Sequence, residues 1–123
     1  MQHTITWFEI PAVDFDRAVT FYSTLLDVEI TTSAFHGDPH GFLPAAPGVV
    51  SGAIVLRDDV KPASTGTLIY LNVAEHMAAT LERVERAGGT VLLPETAIDP
   101  QGSFALILDS EGNRIGLHRP PLR

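Results

Sequence analysis

Apolar residues recur along this chain first at every second position and then at every third or fourth, and that succession occurs twice. ITWFEI (Ile5–Ile10) predicts a strand that ends at Pro11. Asp14 is suited to cap a helix, and Asp16 adds negative charge to its first turn. Ala18, Tyr22, Leu25 and Leu26 follow at helical spacing, so an amphipathic helix is expected over Phe15–Leu26. A short strand is expected at Val28–Thr32. The stretch FHGDPHGFLPAAPG (Phe35–Gly48) is broken by Gly and Pro and reads as loop, with a short strand near Gly41–Leu43. VVSGAIVLR (Val49–Arg57) reads as a strand, and polar DDVKPASTG (Asp58–Gly66) as a linker.

The pattern then restarts. TLIYLNV (Thr67–Val73) predicts a strand, and Met77, Leu81 and Val84 mark a helix that Gly88 and Gly89 stop. Strands are expected at Thr90–Leu93, Ser103–Leu108 and Asn113–Arg119. The last two are joined by DSEGN, in which Gly112 is free to take positive φ. Trp7–Ile10 corresponds to Leu68–Leu71, and Ala18, Tyr22 and Leu25 to Met77, Leu81 and Val84. The chain therefore reads as one α+β domain of two βαβββ modules, about 1–57 and 67–123, with a linker at about 58–66.

Composition narrows the function classes. With 123 residues, 45% hydrophobic and 19% charged, one globular domain with a real core is expected. The absence of cysteine removes disulfides, thiolate metal sites and thiol catalysis, and fits a reducing cytoplasm. MQHTITWFEI has neither a basic region nor a long apolar run, so neither a signal peptide nor a membrane span is expected. A net charge of −7 disfavours nucleic acid and anionic membrane as partners, and would welcome a cationic ligand.

WFEIPAVDFDRAVTFYSTLL, the second βαβββ half and LDSEGNRIGLH together resemble the vicinal oxygen chelate superfamily, which includes glyoxalase I, extradiol dioxygenases and the fosfomycin- and bleomycin-resistance proteins. The resemblance implies a cupped, incomplete β-barrel made by the two modules. It also implies metal ligands at positions that fall on Trp7, Val55, Leu68 and Gly116. None of these four is a ligand, whereas a divalent metal needs about three N or O donors. No metal or other cofactor is therefore expected, nor the glyoxalase I, ring-cleaving or fosfomycin-opening chemistry of the metal-dependent members.

Strand alternation describes the same cup independently. Phe8/Ile10, Ile54/Leu56, Ile69/Leu71 and Ile115/Leu117 are uniformly apolar and should face the helices. The opposite parity then lines the concave side with Trp7/Glu9, Val55/Arg57, Leu68/Tyr70 and Gly116/His118. Trp7 offers a stacking face, Gly116 leaves space, and Val55, Leu68 and Arg57 complete a pocket-like lining. Glu9 and His118 form a candidate proton-transfer pair, assisted by Tyr70. His36 and His40 read as solvated loop histidines; the alternative is that a loop over the cup brings one of them to a ligand. His76 reads as a surface residue, and His3 carries no interpretation.

Two functions fit these residues: a binding protein holding a small organic molecule, and a metal-independent, or atypical-metal, lyase or isomerase acting on a small carbonyl compound. A third reading has the cup occluded by a partner. A homodimer is expected, since two modules alone leave strand edges and an open cup exposed.

Overall fold

In a computed structural model that describes residues 3–121, the chain folds into two four-stranded mixed sheets, each backed by one helix. The first half contains β1 (Trp7–Pro11), α1 (Phe15–Leu26), β2 (Thr31–Phe35), β3 (Asp38–Phe42) and β4 (Ser51–Val55). The second contains β5 (Tyr70–Asn72), a 3₁₀ turn (Ala74–His76), α2 (Met77–Ala87), β6 (Thr90–Ala97), β7 (Ser103–Leu108) and β8 (Arg114–Arg119). The sheet orders, β1-β4-β3-β2 and β5-β8-β7-β6, are the same topology twice, and the sheets do not close into a barrel. The segment between β4 and β5 contains no helix or strand.

Local chemistry sets the helix ends. The Asp14 carboxylate accepts the Arg17 amide at 3.1 Å, and Asp27 ends α1 in the left-handed region at φ 54°. Gly88 ends α2 at φ 112°. The next residue has to be glycine for another reason: a Cβ on Gly89 would lie 2.4 Å from the Leu108 carbonyl oxygen.

The apolar stripe of α1 (Ala18, Phe21, Tyr22, Leu25) is buried with Ile10 and Ile54 from its own sheet and with Met77, Val84, Ile107 and Leu117 from the other half. A single core therefore runs under both sheets. Each fully buried large apolar side chain contributes roughly 1.5–3 kcal/mol. Among the described residues, no helix is long and apolar enough to cross a membrane.

Several elements depart from the sequence expectation. β2 starts three residues later than the strand expected at Val28–Thr32. β3 begins at Asp38, inside the stretch read as loop and ahead of the short strand expected near Gly41–Leu43. The two form a hairpin turning at His36 and Gly37 with φ 52° and 82°. That pair of positive φ values matches the twist of the strands it joins. β6 runs on to Ala97 through irregular register, and β5 is trimmed to three residues.

The turn DSEGN ties the halves together. Asp109 accepts the Tyr22 hydroxyl at 2.5 Å, the amides of Glu111 and Asn113, and the Asn113 side-chain amide. Glu111 accepts the Val13 and Asp14 amides at 2.9 and 2.8 Å and the Arg17 guanidinium at 2.7 Å. Asn113 donates to the Pro11 carbonyl and accepts the Ala63 amide. Burial opposes ionisation of Glu111, but the bonds from Arg17, Asp14, Ser110 and Val13 outweigh it and hold its pKa at about 2. Burial, and then the Asp109 charge, push the Tyr22 hydroxyl well above its usual range.

Candidate functional site

Register decides which side chains share the outer face of the first sheet. Trp7 pairs with Ser51 and Glu9 with Ala53, while β3 sets His40 against Val55 and Phe42 against Ala53. Glu9 and Phe42 thus flank the small side chain of Ala53, with Trp7 and His40 beside them. Gly41, between His40 and Phe42, faces α1, where a Cβ would lie 3.1 Å from Val19 and 3.2 Å from Ile30. The helix side therefore has no room for a side chain, and His40 and Phe42 project to the opposite face.

The cluster is tightly bonded. The Trp7 indole N–H donates to Glu9 Oε2 at 3.2 Å, and the Arg57 guanidinium donates to Glu9 Oε1. A second bond, to Asp59 at 3.0 Å, holds Arg57 in place. Asp59, then Glu9, raise the guanidinium further above its ordinary pKa. His40 is only 4% exposed, and its Nδ1 lies 3.0 Å from the Asp38 carbonyl oxygen. A carbonyl can only accept, so in the neutral ring Nδ1 carries the proton and Nε2 keeps a free lone pair. Nε2 lies 3.9 Å from Glu9 Oε2, beyond direct hydrogen-bonding distance. Phe42 stacks near-parallel to the His40 ring, and Phe35 meets it edge-on. The Trp7 ring lies 6.2 Å from Phe42 and is 44% exposed.

The second sheet differs. Tyr70 pairs with Gly116, Asn72 with His118, and Phe104 with His118. The Tyr70 ring lies directly over Gly116, where a Cβ would come within 2.3 Å of it. The expected space at Gly116 is thus filled by Tyr70, itself half exposed. His118 Nε2 donates to the Gln101 carbonyl at 2.8 Å.

Of the residues expected at the site, Trp7, Glu9 and Arg57 are brought together, while Tyr70, Gly116 and His118 form a separate group on the other sheet. Glu9 and His118 share no hydrogen bond, because each is committed to other partners. Val55 has no exposed surface; it lies on the floor of a depression formed by Glu9, Pro11 and the linker residues Val60 and Lys61. Leu68 precedes β5 and is partly buried. His40 is a buried strand residue, not a solvated loop histidine, and it is the polar member of the site that sequence reasoning missed. The signal that could have found it is His-Gly-Phe, a glycine flanked by two rings of equal parity. His36 is exposed in the turn, and His76 is exposed beside Glu75.

The positions at which the resemblance implies a metal carry an indole, two aliphatic side chains and no side chain at all. Among the described residues, no three His, Asp or Glu side chains gather as a metal would require. These residues do not fit the metal.

The profile of the glyoxalase-like domain family matches residues 7–118. A glyoxylase-like domain-containing protein of Didymella fabae is 32% identical over 119 residues, covering 89% of this chain and 88% of its own. A glyoxalase/bleomycin resistance protein from Albidiferax ferrireducens superposes with a TM-score of 0.71 at 18% identity, covering 97% of this chain and all of that one. The fosfomycin resistance protein FosX of Listeria monocytogenes superposes at 0.70 and 18% identity, covering 99% and 94% of the two chains. Two repeated βαβββ halves, a matching profile over almost the whole chain and a relative in the same family lead to one conclusion: the chain belongs to the glyoxalase-like domain family of the vicinal oxygen chelate superfamily.

Proposed function

We propose that this protein binds a small organic molecule on the outer face of its first sheet, without a metal. The observation that carries the reading is Trp7, a large aromatic left 44% exposed next to the bonded Glu9–Arg57 pair, with His40 close by. An apolar stacking surface beside a few convergent polar groups is the usual composition of a small-molecule site. Arg57 neutralises Glu9, so a neutral planar ligand suits this face; His40 Nε2 and Glu9 would accept its N–H or O–H groups. A homodimer belongs to the same proposal: Trp7, Phe35, Tyr70 and Leu92 are large, exposed apolar side chains, and a second copy would cover part of them. A cytoplasmic setting rests on the cysteine-free composition.

Trp7 is the single tryptophan of the chain, so its fluorescence reports on this face alone. Small aromatic amides, amines and carbonyl compounds are screened for quenching of Trp7 and for a rise in Tm. A ligand at a hundredfold excess over its Kd stabilises the native state by about 2.7 kcal/mol. True ligands should lose that effect in Trp7→Ala, each shift being read against the variant's own ligand-free Tm. Compounds that stabilise Trp7→Ala equally well would sink the reading.

His40 supports a second reading. An imidazole nitrogen facing a carboxylate is an acid–base arrangement suited to a lyase or isomerase on a small carbonyl compound. It replaces Glu9 with His118 by Glu9 with His40. Turnover that survives His40→Gln would remove it.

A further inference from the structure

The seam between the halves is filled on one side and open on the other. On the filled side, the β7–β8 turn places the Glu111 carboxylate against Arg17 and the amides that open α1. The matching turn on the other side joins β3 to β4. Strand register aligns Ser51, opposite Trp7, with Arg114, so Gly48 occupies the place of Glu111 and Val50 that of Asn113. Gly48 has open space around it. There the seam opens into a cavity of about 820 Å³, walled by Phe8, Leu43, Val49, Leu71 and Val73. That volume is in the range of small-molecule sites.

The cavity also contains a cation without a carboxylate. Arg83 lines it and donates Nη1 to the Leu25 carbonyl at 3.1 Å. Among the described residues, no Asp or Glu lies within ion-pair distance of its guanidinium, although the chain has 15 acidic residues and 8 basic ones. His76 and His3 are also at the lining, and Asp27 is the one acid there.

We infer that this seam cavity is a second binding site, separate from the Trp7 face, for a small molecule with an apolar body and a single carboxylate. The carboxylate takes the donors that Arg83 has left beside the C-terminal end of α1. Guanidinium pairs with carboxylates through two parallel N–H bonds, so Arg83 retains the geometry for one after its bond to Leu25. Asp27 disfavours a second negative charge, and the apolar walls take an aliphatic chain.

Octanoate is the probe, with 1-octanol and octylammonium as controls, titrated calorimetrically into the full chain at neutral pH. Octanoate should bind saturably, octanol about tenfold more weakly, and octylammonium not at all. Amide resonances of Val49, Val73, Ala74 and Arg83 should shift, while those of Glu9, His40 and Arg57 stay still. Arg83→Met should weaken octanoate about tenfold and leave octanol unchanged. Val49→Trp, a plug at the exposed rim, should abolish binding of both without disturbing the Tm. No saturable octanoate binding, equal binding of octanol, shifts centred on Glu9, or unchanged affinity in Arg83→Met would each overturn the inference. Of these outcomes only shifts centred on Glu9 would bear on the Trp7 face; the other three leave ligand binding there untouched.

Discussion

One turn of this molecule is stapled and its topological twin is not. Asp109-Ser110-Glu111-Gly112-Asn113 makes bonds to α1, to β1 and to the linker, whereas Ala46-Pro47-Gly48-Val49-Val50 makes almost none across the seam and borders a cavity. The same strand order and the same helix placement thus support opposite outcomes. Three polar side chains lock one seam, and the lack of side chains able to do so leaves room at the other. A repeated fold does not distribute its stability evenly between the repeats.

The largest break in that asymmetry should come from Asp109→Ala. Four donors converge on this buried carboxylate, and its loss leaves the Tyr22 hydroxyl and the turn amides unpaired in the interior. Urea denaturation should show a loss of about 3–4 kcal/mol.

Glu111→Gln should cost less and should do so in a pH-dependent way. The folded pKa of Glu111 is about 2, below the ordinary 4.5, so its contribution is present above pH 4.5 and is lost as pH falls toward 2. At pH 7 the substitution should cost about 2 kcal/mol, after allowance for solvent screening around the half-exposed Arg17. Stability curves of parent and variant should converge near pH 2. Curves that stay parallel down to that pH would show that the ionised form is not what holds the seam.

The smallest effect belongs to the open seam. Val49→Ala removes an exposed side chain from the rim and should change stability by less than about 0.5 kcal/mol by the same denaturation measurement. A larger loss would mean that the unstapled seam bears load after all, and the comparison would fail.

The outer faces of the two sheets repeat the lesson. Alternation expected Trp7 with Glu9 and Gly116 with His118 on the concave side, opposite the helices, and the register keeps each pair on one face of its sheet. It could not show that Tyr70 fills the space over Gly116, because that depends on the direction of a ring on a neighbouring strand. Nor could it pair Glu9 with its actual neighbours. His40 was hidden because its strand, Asp-Pro-His-Gly-Phe, contains two residues that ordinarily interrupt strands, and its partner β2 is exposed along its whole length. With no apolar alternation to read, the first half of β3 looks like a loop.

The sequence by itself determined the helices, the repeated order of elements and the residues that turn inward. Those follow from short-range periodicity, capping and glycine placement, which neighbouring residues impose on one another. Only the tertiary structure decided which polar groups meet. Glu9 joins Arg57 across 48 positions and Glu111 joins Arg17 across 94. Such partners are selected by sheet register and by the packing of one half on the other, and no local pattern encodes them.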